Sequence, residues 1–233
     1  MTLVLLYDIH GNLPALEAVL DDAQAQTNGK ARFILGGDYA MFGPWPRETV
    51  ERLKQIENAR WLRGNVDRWT ANPTDAPDHP MPQGAIAACR RELGDALVQE
   101  LGALPEQFEE DGVRYCHASP VSDLRGFLPE PAPDEPELLE GVQEQRLVFG
   151  HTHLPFARKS ADGIELLNPG SVGFPLDGDT RAAYALVHDT GDIEHRRVEY
   201  DAAASAAALR ERFDAEFAEV VARRVELARL ESG

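Results

Sequence analysis

Five loops of this chain hold side chains able to bind a divalent cation: Asp8 with His10, Asp38, Asn65 with Asp67, His117, and His151 with His153. Imidazole nitrogen and carboxylate oxygen suit Zn, Mn, Fe, Co and Ni. The only cysteines are Cys89 and Cys116, which argues against a closed thiolate zinc site. In an extended chain residues i and i+2 point to one side, so Asp8/His10 and His151/His153 are each expected to act as a pair. An Asp after a strand commonly caps a turn or helix, and a lone buried His is usually a hydrogen-bonded core residue. Recurrence argues for chemistry here, because four of the seven histidines fall at the ends of apolar runs.

The elements that must position these loops are legible as alternating strands and helices. Residues 2–7 (TLVLLY) form an apolar run ending at Asp8, the pattern of a strand buried on both faces. A helix follows, with Pro14 in its first turn and Leu16, Val19 and Leu20 at helical spacing. Strands are expected at 32–36 and 59–62, with a helix over 47–57 between them. They deliver the chain to Gly37-Asp38 and to Gly64-Asn65. A helix over 83–101 and a strand pair at 106–110 and 113–117 come next. A strand at 145–149 runs into Gly150-His151-Thr152-His153, and another is expected at 163–167. Strands at 182–188 and 193–199 read as a hairpin. Segments 70–82 and 119–142 are proline-rich and read as loops, the second of them acidic. One long helix is expected over 201–231. Its apolar stripe (Leu209, Phe213, Phe217, Val220, Val221, Val225) suits core packing, with a homo-oligomer contact as the alternative.

The chain has 233 residues, 40 acidic against 23 basic, for a net charge of −17. Hydrophobic residues at 43% and charged residues at 27% fit a globular protein of one domain spanning 1–233. No basic stripe is available to displace counterions from a nucleic acid or an anionic membrane. The opening run is too short for a signal peptide or a span, and two cysteines fit a reducing compartment, so a cytoplasmic location is expected. A bound metal would supply the positive charge that contact with a phosphate requires.

The ordered segments DIHGN (8–12), GGD (36–38), RGNVD (63–67), YCHAS (115–119), GHTH (150–153) and NPGSVG (168–173) resemble the calcineurin-like metallophosphoesterase superfamily. Within it they are most similar to the YfcE-like phosphodiesterase group. The resemblance runs from Leu3 to about Val198. It implies an α/β fold, a four-layer α/β/β/α sandwich of two mixed β-sheets flanked by helices, with a dinuclear metal site at the strand ends. It further implies that Asp8, His10 and His153 hold one metal, that Asn65, His117 and His151 hold the second, and that Asp38 bridges both. Asp38, Asn65 and His117 are the catalytic candidates, together with a metal-bridging water that attacks phosphorus in line as hydroxide. Mn is the expected metal in vitro, with Fe, Zn, Ni or Co as alternatives in the cell.

The sequence departs from the superfamily at one place. Many members carry a histidine after the G-N pair and an Asp three residues after the G-D aspartate. Here these positions are Val66 and Met41. Without that acid, activated or phenolic phosphodiesters become the expected substrates, or a metal-bound water serves as the acid, unless His79 substitutes. Asp67 is a candidate for orienting the site from behind, or a helix cap. Arg63, Arg68 and Arg125 are candidate substrate contacts, and Cys116 reads as a small buried hydrophobe. The expected activity is a metal-dependent phosphodiesterase acting on a small phosphoester. The alternatives are a phosphomonoesterase or protein phosphatase, and a non-catalytic metal- or phosphate-binding regulatory module.

Overall fold

The computed structural model describes residues 1–213 and 216–230. The first half alternates strand and helix: β1 (Thr2–Leu6), α1 (Leu13–Thr27), β2 (Ala31–Leu35), α2 (Pro46–Leu53), β3 (Ala59–Trp61), α3 (Asn65–Ala71) and α4 (Pro80–Gly102). The second half runs β4 (Gln107–Glu110), β5 (Val113–Cys116), α5 (Glu135–Leu138), β6 (Arg146–Val148), β7 (Phe156–Lys159), β8 (Glu165–Asn168), β9 (Ala182–Val187) and β10 (Ile193–Val198). Helices α6 (Ala202–Arg212) and α7 (Glu216–Leu227) follow. No helix among the described residues is long and apolar enough to cross a membrane.

Two five-stranded mixed sheets result, in the orders β10-β9-β1-β2-β3 and β4-β5-β6-β8-β7. In the first, β1, β2 and β3 are parallel, and β9 runs antiparallel to β1. In the second, β5, β6 and β8 are parallel and the edge strands β4 and β7 are antiparallel. Alternation along β1 decides the layering. Leu5 and Tyr7 pack with Ile34, Leu62, Tyr115, Val148 and Leu167 between the sheets. Val4 and Leu6 face the other way, onto the core shared with α1, α4, α6 and α7. The outer face of the second sheet is covered by segment 119–142, whose Phe127, Leu138 and Leu139 pack on Leu147, Phe149 and Leu166. The acidic segment is therefore seated on the sheet, with the one-turn α5 as its helix.

Several expectations are corrected. Helix α3 and edge strand β7 arise where no helix or strand was assigned. Pro80 and Pro82 lie inside α4, in the first turn, where a missing N–H costs nothing. The single terminal helix over 201–231 is two helices, parted at Phe213 in extended conformation (φ −127°, ψ 106°). Positions 214, 215 and 231 of that expected helix lie outside the described residues. Most of its stripe is in the core: Leu209, Phe213, Phe217, Val221 and Val225 are buried, and Val220 is half-buried.

Candidate metal centre

The loops follow the carboxyl ends of β1, β2, β3, β5 and β6, so both sheets deliver side chains to one spot. They do so in an uncommon backbone conformation. Asp8, His10, Asp38, His151 and His153 have φ of 54°, 50°, 58°, 65° and 59°. Left-handed backbone costs a non-glycine residue roughly 1–2 kcal/mol, and such strain persists only where the surroundings enforce it. The chain is coiled here and not extended, so the i, i+2 argument gives way to a different arrangement. Asp8 and His10 do converge, whereas His151 and His153 part.

Two groups form. Asp8, His10 and His153 offer ligand atoms all within 4.8 Å of one another, and Asp38, His117 and His151 do likewise. Asp38 lies between them: its Oδ2 is 3.3 Å from His117 Nε2 and 3.8 Å from His10 Nε2. Asn65 Oδ1 is 3.0 Å from both His117 Nε2 and His151 Nδ1. All seven sequence-derived ligand candidates thus meet in one cluster, and all but His151 are buried.

The tautomers follow from the partners. His10 Nδ1 donates to the Met41 carbonyl (2.9 Å), His117 Nδ1 to that of Gly36 (2.9 Å) and His153 Nδ1 to that of Phe174. A carbonyl can only accept, so each Nε2 is left with its lone pair aimed into the cluster. Asp8 Oδ2 accepts from the His151 amide (2.9 Å), and Asp8 Oδ1 is buried with no hydrogen-bond partner. Converging lone pairs and an orphaned carboxylate oxygen are costly unless cations lie among them. The donor set therefore fits two divalent ions.

Without cations, protons take their place: burial opposes charge on His153, but the Asp8 carboxylate outweighs it and raises the pKa. Burial, then the charge of His153, lowers the His10 pKa to about 4. Burial, then His117, lowers that of His151 to about 4. Burial also opposes the charge on His117, but the Asp38 and Asp8 carboxylates outweigh it and lift the pKa to about 10. Burial would raise the Asp8 and Asp38 carboxyls, yet the surrounding histidines hold both below the usual range.

Asp67 stands behind the ligands. Its Oδ2 accepts from the Asp38 amide (2.8 Å) and the Gly64 amide (2.9 Å), and its Oδ1 accepts from the Tyr39 amide (3.2 Å). One carboxylate thus holds the backbone of Asp38 and caps α3, whose first residue is Asn65. Burial, then the Asp38 charge, raises its pKa to about 7 against those bonds. Gly64 has no room for a side chain, since a Cβ there would lie 2.0 Å from Asp38 Oδ1. Asp38 Oδ1 in turn accepts from the Val66 amide (3.0 Å).

The remaining candidates lie elsewhere or are otherwise engaged. Arg63 donates to the Gly102 carbonyl and pairs with Glu106; Arg125 pairs with Asp134 and Glu137. Arg68 binds Asp123 through two bonds (2.7 and 2.9 Å) and also meets Asp75. It borders a cavity of about 280 Å³ beside His117, together with Ser119 and Val121. A cleft of about 680 Å³ lies at the far ends of the strands, around Gly112, Gln145 and Lys159, away from every candidate ligand. His79 is exposed and accepts from the Met81 amide at the start of α4. Val66 and Met41 are buried in the main core. Cys116 is buried, and burial pushes its thiol well up, so it offers no thiolate. Asn168 donates to the Gly150 carbonyl and Thr152 Oγ1, and Ser171 Oγ donates to the Asp8 carbonyl. Segment 168–173 is therefore scaffold for two ligand loops. The carbonyls of Gly36, Met41 and Phe174 had no sequence signal, because any residue type supplies one.

Comparison with known proteins places this geometry in context. A family model described as a calcineurin-like phosphoesterase superfamily domain matches residues 1–192. An uncharacterised protein of Methanocaldococcus jannaschii is 30% identical over 223 residues, covering 85% of this chain and 88% of its own. Phosphodiesterase YfcE of Escherichia coli is 29% identical over 197 residues, covering 80% of this chain and 87% of its own. A metallophosphoesterase from Sphaerobacter thermophilus shares the fold with a TM-score of 0.83 at 26% identity, over 98% of this chain and 99% of that one.

Proposed function

The chain belongs to the calcineurin-like phosphoesterase superfamily, and on that premise we propose that it is a dinuclear metal-dependent phosphodiesterase acting on a small phosphoester. The observation that carries this is Asp38 Oδ2 lying within 4 Å of histidines from both groups, 3.8 Å from His10 and 3.3 Å from His117. A carboxylate so placed can serve two cations at once and offset part of their repulsion. Asp8, His10 and His153 would hold one metal, and Asn65, His117 and His151 the other. When bound, the metals supply Lewis-acid activation of the phosphoryl group and of water. The named relative YfcE, a phosphodiesterase, supports the diester reading.

The protein's own part is orientation. The carbonyls of Met41, Gly36 and Phe174 fix three imidazoles with Nε2 facing inward. Asp67 fixes the Asp38 and Asn65 loops against each other. Asn65 is a neutral ligand and leaves its metal more electrophilic than a third carboxylate would. Val66 and Met41 lie in the apolar core and supply no acid. The departing oxygen must then be a good leaving group, which favours phenolic or otherwise activated diesters.

The test is a hydrolysis assay on protein stripped with chelator and restored with Mn²⁺. It compares a chromogenic phosphodiester with its monoester, with Asp38→Asn as control. Metal-dependent diester turnover that is lost in the variant is expected. Faster monoester turnover would favour a phosphatase. Binding of two metals without turnover of either ester would favour a regulatory module.

A further inference from the structure

Ten non-glycine residues have positive φ among the described residues, and Phe42 (φ 82°) is the one large apolar side chain in that set. A bulky residue rarely adopts this conformation. The turn that imposes it is pressed against the Asp8–His10 loop. The amides of His10 and Gly11 donate to the carbonyls of Asp38 and Tyr39, and the Trp45 amide donates to that of Gly11. A Cβ on Gly43 would lie 1.9 Å from the His10 carbonyl oxygen, so the two loops touch backbone to backbone.

The enforced turn sets the Phe42 ring 5.8 Å from the His10 ring and 6.3 Å from that of Phe174. Phe174 lies 5.5 Å from His10 and 5.6 Å from His153. Two phenyl rings thus wall the Asp8, His10 and His153 group. Phe174 is buried, whereas Phe42 is half-buried. The arginine candidates are already engaged by carboxylates: Arg63 pairs with Glu106, Arg68 with Asp123 and Asp75, and Arg125 with Asp134 and Glu137.

We propose that Phe42 forms a subsite for an uncharged, planar aromatic group esterified to the phosphate at the metal cluster. This rests on the phosphodiesterase reading and names the kind of substituent the site takes. The scissile phosphate is the one anionic group of such a substrate. The aromatic group lies against Phe42, by offset or edge-on ring contact.

Phosphonates test this without leaving-group chemistry, because their carbon–phosphorus bond is not hydrolysed. Phenylphosphonate and methylphosphonate are compared as inhibitors of diester hydrolysis by Mn²⁺-loaded wild type, Phe42→Ala, Phe42→Leu and Phe42→Tyr. In wild type the phenyl compound is expected to bind more tightly. Phe42→Ala is expected to erase about tenfold of that preference, Phe42→Leu part of it, and Phe42→Tyr little. Should Phe42→Ala fail to fold, Phe42→Leu against Phe42→Tyr carries the comparison. A preference indifferent to residue 42, with diesters still hydrolysed and both phosphonates binding, overturns the subsite alone. Loss of all diester turnover and phosphonate binding in wild type overturns the phosphodiesterase reading and the subsite together.

Discussion

His10 and His153 bring their Nε2 atoms to 3.2 Å while each Nδ1 donates to a backbone carbonyl, of Met41 and Phe174. Two nitrogen lone pairs at that separation repel. A proton or a cation must lie between them, and Asp8 Oδ1, 3.4 Å from His153 Nε2, waits on the same ion.

The metal-free protein is therefore the less stable form. Mn²⁺ at one hundred times its Kd is expected to add about 2.7 kcal/mol, a Tm rise of roughly 5–10 °C for a chain of this size. Asp8→Asn is expected to remove that rise without lowering Tm in chelator, because its amide can donate where Asp8 Oδ1 has no partner. Thermal melts in chelator and in Mn²⁺ check both statements. An unchanged metal-induced shift in the variant would contradict them.

Asp67→Ala is expected to leave three buried amides, of Asp38, Tyr39 and Gly64, without an acceptor. The expected loss is about 2–4 kcal/mol, read by urea denaturation. Metal stoichiometry should also fall, because Asp38 and Asn65 lose their common anchor.

Val66→His is expected to give no gain on esters with poor leaving groups. Val66 is buried in the main core. An imidazole there meets an apolar environment and should lower stability by about 1–3 kcal/mol. A rise in turnover of alkyl esters over aryl esters would show instead that residue 66 reaches the substrate.

Asp22 joins α1 to the β9–β10 hairpin through two bonds from Arg196 and one from Tyr184. The Arg196 bonds, with the Tyr184 hydroxyl, hold its carboxyl below the usual range. A depressed carboxylate adds stability above its unfolded pKa of about 3.9 and loses that addition as pH falls through the folded value. Asp22→Asn should therefore cost about 1–2 kcal/mol at neutral pH, and the gap to wild type should start to narrow near about pH 4 and close only below the folded value. Denaturant titrations at pH 7 and at falling pH from about 4 downward follow the narrowing.

The strands that aim the site were legible because each is an apolar run cut short by Gly, Asp or Asn, as at Leu6 before Asp8 and at Val148 before His151. The candidate ligands were legible from their types and order. Helix α3 was not, because NVDRWTA has no apolar periodicity and its cap, Gly64, has no side chain to announce it. Strand β7 (FARK) is a four-residue edge whose faces, Phe156/Arg158 and Ala157/Lys159, each hold one apolar and one charged residue, so no alternation marks it. The break after Arg212 is marked by neither Gly nor Pro. The left-handed ligand loops were hidden for another reason: Asp and His tolerate that conformation without requiring it.

The cluster draws on both sheets: Asp8, His10, Asp38 and Asn65 from the first, His117, His151 and His153 from the second. Ions held there would rivet the two layers of the sandwich, joining residues 143 positions apart along the chain at His10 and His153. By chain entropy alone, a covalent closure of that span is worth roughly 4–5 kcal/mol. The rivet is reversible, so global opening becomes a matter of ion release. Metal-loaded protein should unfold at a rate set by dissociation, with hydrogen-exchange protection of the inner strands of both sheets rising and falling together.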